Sequence, residues 1–327
     1  GVTGVQTCAL PISAKLRRHI FIMNHYPSNV KEKLNSIILS MAEHHWLFSK
    51  NPGHDFTRQH LGKLSFYDTM RLIISMGKGS TNDEIMDYFD LDPDLIPSQS
   101  AFCQRRRQIS LSAFEYLFSE FSSSFPSTTD KFKDHCILAC DGCHVVYATN
   151  SDIIEDYNKP RLIDYKGYNH MHLNGFVDVI SKAFLDVVIQ PGQQPDEREA
   201  LHSMLDHFTP DDPQKYIITA DRGYESYDLL FHCELKNLGY VFRVKSPSSP
   251  KSILSYYASE FPDDLEEFDV TIKRFFTDKA TNIMKSQSDV YRYINPSKNT
   301  PHFYELLRKN HSHLYFLQFR VVKIKTA

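Results

Sequence analysis

Ile137-Leu-Ala-Cys-Asp141, followed closely by Val145-Val-Tyr147, is the stretch on which the fold turns. Upstream, apolar residues recur at three- and four-residue steps. Here the period changes, and a short apolar run ends on a single carboxylate, the pattern of a buried strand. Eighty positions on, Tyr216-Ile-Ile-Thr-Ala220 repeats the pattern and ends on Asp221. Between them lie a polar stretch from Thr149 to Tyr168, then two apolar runs, His170 to Ile180 and Ala183 to Ile189, arranged like a hairpin around Ser181-Lys182. Asp196 sits where a cap should open a helix through Leu201, Met204, Leu205 and Phe208. Tyr227 to Leu238 reads as a helix closed by Gly239, and Tyr240-Val-Phe-Arg-Val244 as a strand. The order is β-β-β-α-β-α-β, and mixed sheets of this kind carry functional groups at strand ends.

Working outward, the N-terminal side is helical. Val30, Leu34, Ile37, Ile38 and Met41 keep a helical period, as do Phe66, Met70, Ile73 and Ile74 after Ser65. Thr81 followed by Glu84 predicts a capping box, Pro93 and Pro97 break the chain, and helices follow from Ser98 to Ile109 and from Leu111 to Phe121. Residues 14–125 therefore read as a helical domain, 134–245 as a mixed-sheet core and 246–327 as a β-rich region entered through Ser246-Pro-Ser-Ser-Pro250. The fold class expected is α+β or α/β. Gly1 to Ser13 lacks the basic and apolar segments of a signal peptide and reads as a leader foreign to the fold. Phe319 to Ala327 alternates like a strand and stops, so both ends read as those of a fragment.

With 41% hydrophobic and 24% charged residues among 327, the chain has globular composition, which excludes a disordered or collagen-like protein. No apolar run nears the ~20 residues that cross a bilayer, so no membrane role is expected. A formal charge of −3 excludes a polycationic binder but leaves room for a local basic face. From Ala14 to Lys63 there are eight Lys/Arg against three Asp/Glu, and Arg105-Arg106-Arg107 lies on a helix. Such cations could neutralise phosphates, supplying mostly non-specific affinity, or simply form a solvated helix face. The connection between the Thr81 and Ser98 helices is too long for a tight helix-turn-helix. Six cysteines with no secretion signal fit reduced thiols in a cytoplasmic protein.

Asp141 and Asp221 each follow an apolar strand. If those strands are neighbours, both carboxylates meet at one point, where they repel unless a cation lies between them. Hard oxygen ligands favour Mg²⁺ or Mn²⁺, and such a site suits phosphoryl transfer. The plain alternative is two surface aspartates at turns helped by Gly142 and Gly223.

The strand order, Asp141 and the segment Ala220-Asp-Arg-Gly-Tyr-Glu-Ser226 resemble the DDE transposases of bacterial insertion sequences, and among them the insertion-sequence-four group. Leu64 to Gly77 and Ser100-Ala-Phe-Cys-Gln-Arg-Arg106 add to the likeness, which runs from about Phe56 to Lys325. The resemblance implies an RNase H-like catalytic domain holding Mg²⁺ or Mn²⁺, with Asp141 and Asp221 as the first two catalytic acids. It implies double-stranded DNA as partner, at transposon ends and at the target, and a homodimer in a synaptic complex. Arg105, Arg106, Arg107, Arg222 and Tyr224 become candidate DNA contacts, the last near a flipped or frayed end. The family's third acid is a Glu within Tyr-x2-Arg-x3-Glu-x6-Lys. After Asp221 only Tyr240 has an Arg three positions on, Arg243, and position 247 is Pro. The third acid is thus expected beyond residue 327, within a parent transposase of which this fragment is an inactive part. Glu305 is a poor substitute in the wrong context.

Other candidates carry weaker signals. Cys136, Cys140, Cys143 and His144 look like half a zinc site, but no second pair follows, and small buried hydrophobes are the better reading. His170 and His172 share a strand face, as ligands or as satisfied sheet-surface histidines. Lys159, Arg161 and Lys166, among Asp152, Glu155, Asp156 and Asp164, could face substrate. A non-catalytic DNA-binding remnant and a nuclease that cuts without joining are the other functions compatible with these residues.

Overall fold

The computed structural model describes residues 26–57, 64–124, 131–159, 167–262, 265–295 and 300–325. The leader 1–13 lies outside them, as do Arg161, Asp164 and Lys166. The chain divides into two compact units, Gly1–Phe125 and Pro126–Ala327.

The first unit is helical: α1 (Tyr26–Glu43), α2 (Phe66–Ser75), α3 (Thr81–Tyr88), α4 (Gln99–Gln108) and α5 (Leu111–Ser123). Ile37, Ile38 and Met41 of α1 pack against Phe66 and Met70 of α2 and Ala113 and Leu117 of α5, as the apolar period requires. A second cluster joins Leu72, Ile85 and Phe102. The capping box of α3 falls one residue earlier than expected. Ser80, in extended backbone, accepts from Asp83 N at 3.2 Å, while Glu84 accepts from Gly79 N at 2.7 Å. Two adjacent hydroxyls compete for such a cap, and the one whose backbone is extended wins. Asp90 and Leu91, with φ of 50° and 59°, turn the chain between α3 and α4.

The second unit begins with β1 (Cys136–Tyr147), β2 (Tyr157–Asn158), β3 (Tyr168–Asp178) and β4 (Phe184–Pro191), then α6 (Glu197–His207), β5 (Tyr216–Ala220), α7 (Tyr227–Leu235) and β6 (Gly239–Phe242). The strands form one mixed sheet in the order β2-β3-β1-β5-β6, with β4 also paired to β3. β1, β3 and β4 are antiparallel neighbours, whereas β5 lies parallel to β1 and β6 parallel to β5. Leu201, Met204 and Leu205 of α6 bury their side chains against Leu138, Cys140, Phe176 and Ile218. The α7 helix ends three residues before the expected stop. Asn237 takes the left-handed conformation at φ 55°, with its N–H on Glu234 O, so Gly239 is freed to open β6.

Beyond β6, the loop from Lys245 is gathered by the buried Glu225, whose carboxylate accepts from Lys245 N, Ser252 Oγ and Ile253 N. A three-stranded sheet follows in the order β8-β7-β9, from β7 (Phe268–Thr277), β8 (Tyr291–Tyr293) and β9 (Leu314–Lys323), with α8 (Asn282–Ser286) and α9 (Pro301–Lys309) between strands. Helix α7 serves two cores. Leu229 and Cys233 join the large-sheet core, and Phe231 joins Ile272, Phe276, Phe303 and Leu317 of the smaller one. Burial between two layers puts apolar residues on both faces of the helix, and Asp228 and His232 are buried with them. No described helix is long and apolar enough to cross a membrane.

Candidate active site

Strand β1 does not end at Asp141, contrary to the sequence reading. It runs through Asp141 to Tyr147 because β3 pairs with it along that whole length, Asp141 opposite Gly175 and Tyr147 opposite Asn169. The parallel neighbour β5 is short, and its last pair is Cys140 with Ala220. Asp141 and Asp221 are therefore the next residues on two adjacent parallel strands, at the lip where β5 stops and β1 continues. Both are exposed. Asp141 Oδ1 accepts from Gly142 N at 2.9 Å and Asp221 Oδ1 from Gly223 N at 2.6 Å, so the local backbone orients each carboxylate.

A third carboxylate, missed in the sequence, joins them. Glu197 is the first residue of α6, where Asp196 caps the helix by accepting from Arg198 N and Glu199 N. A methyl group at Gly223 would lie 2.9 Å from Asp221 Oδ1 and 3.1 Å from Glu197 Oε2, so these two acids converge over Gly223. A methyl group at Gly142 would lie 3.0 Å from Glu197 Oε1. The one available signal was Glu197 itself, beside the cap that opens the helix after β4. Burial first, and then the charges of Asp141 and Glu197, push the Cys140 thiol up to about 12 against the opposing hydrogen bond with Tyr224. Among the described residues these acids do not close into three ligand atoms within 4.8 Å of one another.

His172 faces the same point. Its side chain is 4% exposed, Nε2 lies 3.4 Å from Glu197 Oε1, and neither ring nitrogen has a hydrogen-bond partner among the described residues. The ring passes so close over Gly142 that a Cβ there would meet Nε2 at 2.4 Å. His170 and His172 are thus buried rather than surface histidines, and His144 touches both rings edge-on at 4.6 and 4.8 Å. An unpartnered buried imidazole is costly, and a nearby cation would give it a partner. Hard oxygens from Asp141, Asp221 and Glu197, with one imidazole nitrogen, form a donor set that fits Mg²⁺ or Mn²⁺.

The remaining candidates separate clearly. Arg222 is exposed next to Asp221, its carbonyl accepting from Lys245 Nζ at 3.2 Å. Tyr224 is fully buried in the large-sheet core, with its hydroxyl 3.5 Å from Cys140 Sγ, and offers nucleic acid no surface. A ring with so much apolar area is better placed inside than at a DNA end, and the expected contact is corrected accordingly. On α4, Arg106 and Arg107 are exposed. Arg105 is half-buried, its guanidinium over the Phe56 ring at 5.1 Å and hydrogen-bonded to Gln108 Oε1 at 3.2 Å. Glu305 is exposed on α9, away from the face formed by Phe303, Leu306 and Leu307. Cys136 and Cys140 are buried and Cys143 exposed. In the loop before β3, Asp156 is fixed structurally, accepting from Tyr147 Oη at 2.6 Å and Gly192 N at 2.9 Å.

No curated protein matches this chain. The family model described as Transposase DDE domain matches residues 132–313, a span that opens before β1, contains Asp141, Glu197 and Asp221, and closes after α9. That span is more than half of the chain and includes the whole mixed sheet on which the paired acids stand, so the chain belongs to the DDE-domain transposases.

Proposed function

We propose that the chain comes from an insertion-sequence transposase of the insertion-sequence-four type, with an RNase H-like core that cuts double-stranded DNA at transposon ends and joins the freed 3′-hydroxyl to a target. The observation that carries this reading is the register of β1 and β5, which makes Asp141 and Asp221 neighbours at the sheet lip with Glu197 beside them. Asp141, Asp221 and Glu197 would hold Mg²⁺ or Mn²⁺, with His172 Nε2 completing the donor set. When bound, such an ion activates an attacking oxygen and stabilises the leaving one. The chain's own groups do the positioning. Gly142 N and Gly223 N fix the two aspartates, and the lack of a side chain at Gly142 makes room for the His172 ring. Arg222, exposed beside Asp221, would meet a DNA phosphate, and Arg106 and Arg107 would add phosphate contacts from the helical unit. Two copies would act together on paired transposon ends.

The test is a Mn²⁺ titration of the protein and of Asp141→Asn and Asp221→Asn, followed by calorimetry, with binding to transposon-end DNA measured in parallel. Either substitution should weaken Mn²⁺ by at least about a hundred-fold, more than the usual cost of altering an outer-shell group, while DNA binding survives. Equal Mn²⁺ affinity in all three proteins rejects the site.

A further inference from the structure

Away from the acids, His202 of α6, His232 of α7 and His302 of α9 form a cluster that the proposed chemistry does not use. Their side chains are only 11%, 2% and 14% exposed. One nitrogen from each lies within 4.8 Å of the others, the one such group of ligand atoms among the described residues. The rings stack nearly parallel, with centroids 3.9 to 5.1 Å apart.

Each imidazole also faces a carboxylate. Asp228 Oδ2 bonds His302 Nδ1 at 2.7 Å, Asp206 Oδ1 lies 3.1 Å from His232 Nε2, and Asp228 Oδ2 lies 3.6 Å from His202 Nε2. Asp228 is fixed in turn, because its Oδ1 accepts from His302 N and Phe303 N at the start of α9. A carboxylate draws the imidazole proton to the nitrogen it faces, which sets the tautomer. The protons of the two bonded rings then sit on His302 Nδ1 and His232 Nε2, which leaves His302 Nε2 and His232 Nδ1 as acceptors. The Nδ1 atoms of His202 and His232 lie 2.9 Å apart, so His202 donates to His232 there, its own Nε2 being beyond hydrogen-bond distance of Asp228. A divalent ion among the three rings would take the place of that shared proton.

We propose that His202, His232 and His302 bind a borderline divalent ion of the zinc type, with a water in the fourth position, clamping α9 against α6 and α7. Three imidazoles suit Zn²⁺ or Co²⁺ and do not suit Mg²⁺ or Ca²⁺, and a carboxylate behind each ring is the usual outer shell of a histidine–zinc site. Bonds of about 2.0–2.1 Å place tetrahedral ligands about 3.4 Å apart, so binding requires the stacked rings to turn until their three nitrogens, already within 4.8 Å of one another, converge on the ion. The clamp joins the two cores of the second unit, since α6 belongs to the large sheet and α9 to the small one.

The full chain, freed of metal with a chelator and dialysed, is titrated with Co²⁺ and then Zn²⁺. The expected result is one equivalent bound, a visible spectrum of tetrahedral Co²⁺ that Zn²⁺ bleaches, and a higher melting temperature with Zn²⁺. His302→Gln should abolish the spectrum. Asp206→Asn, an exposed outer-shell change that spares the fold, should weaken Zn²⁺ by about 10- to 100-fold. The double variant Asp141→Asn/Asp221→Asn should bind Zn²⁺ as the parent does, which separates this site from the carboxylate one. Absence of a stoichiometric Co²⁺ spectrum in the parent overturns the proposal. So does a spectrum that survives in His302→Gln, or Asp206→Asn binding Zn²⁺ as tightly as the parent.

Discussion

Two clusters of ionisable side chains in the same unit behave in opposite ways. Asp141, Asp221 and Glu197 lie at the sheet lip without closing to within 4.8 Å of one another, whereas His202, His232 and His302 are nearly enclosed and stack ring on ring. The difference lies in what holds each group. The aspartates are held by their own backbone, through Gly142 N and Gly223 N, because like charges cannot hold one another. The histidines stack ring on ring, and Asp206 and Asp228 stand behind His232 and His302. On the proposed readings, the first site would take a hard cation and a phosphate at an exposed lip, and the second a softer ion in a closed pocket.

The comparison breaks most visibly if one substitution disturbs both sites. Asp221→Asn should cost the carboxylate site at least about a hundred-fold in Mn²⁺ affinity and leave Zn²⁺ binding unchanged. Parallel titrations with the two ions check this, and loss of both together would mean a general collapse. Glu197→Gln sharpens the same contrast. Removing a charge but keeping the shape should lower Mn²⁺ affinity by about ten-fold, and calorimetry showing no change would take Glu197 out of the site. At Gly142, alanine would drive a Cβ into the His172 ring. We expect Gly142→Ala to lower stability by roughly 1–3 kcal/mol as overpacking does, read by urea unfolding. The smallest effect concerns pH. Burial raises the Glu225 carboxyl, but hydrogen bonds from Lys245 N, Ser252 Oγ and Ile253 N outweigh it and hold the group below its ordinary value near 4.5. The stability this gives is complete above that value and is lost as pH falls through the lower folded one. Glu225→Gln should therefore lower stability at pH 7 by on the order of 1–2 kcal/mol and flatten the acid side of the profile. A parent curve with the same acid slope as Glu225→Gln would show that this carboxylate is not linked to folding.

Much of this was legible along the chain. The change from helical to strand period at Ile137, the hairpin around Lys182 and the helix behind Asp196 follow from local pattern and capping, which are short-range physics. The burial of Tyr224 was not legible, since Asp221-Arg-Gly-Tyr looks the same whether the tyrosine faces solvent or core. Nor was the length of β1, because a strand extends only as far as a partner pairs with it, and that partner, β3, begins some twenty residues later. His172 and Glu197 carried only faint signals, being one of two histidines on a strand face and one acid of an acidic helix start.

By itself, then, the sequence determined the element order, the helical character of the first unit and the two aspartates that follow apolar strands, because these depend on neighbours within a few residues. Only the tertiary structure decided that Glu197 and His172 face those aspartates, and that His202, His232 and His302, drawn from three helices spread over a hundred residues of sequence, share one pocket. Side chains from distant segments meet through the register of strands and the packing of helices on both cores, and those distances are fixed by the folded chain as a whole.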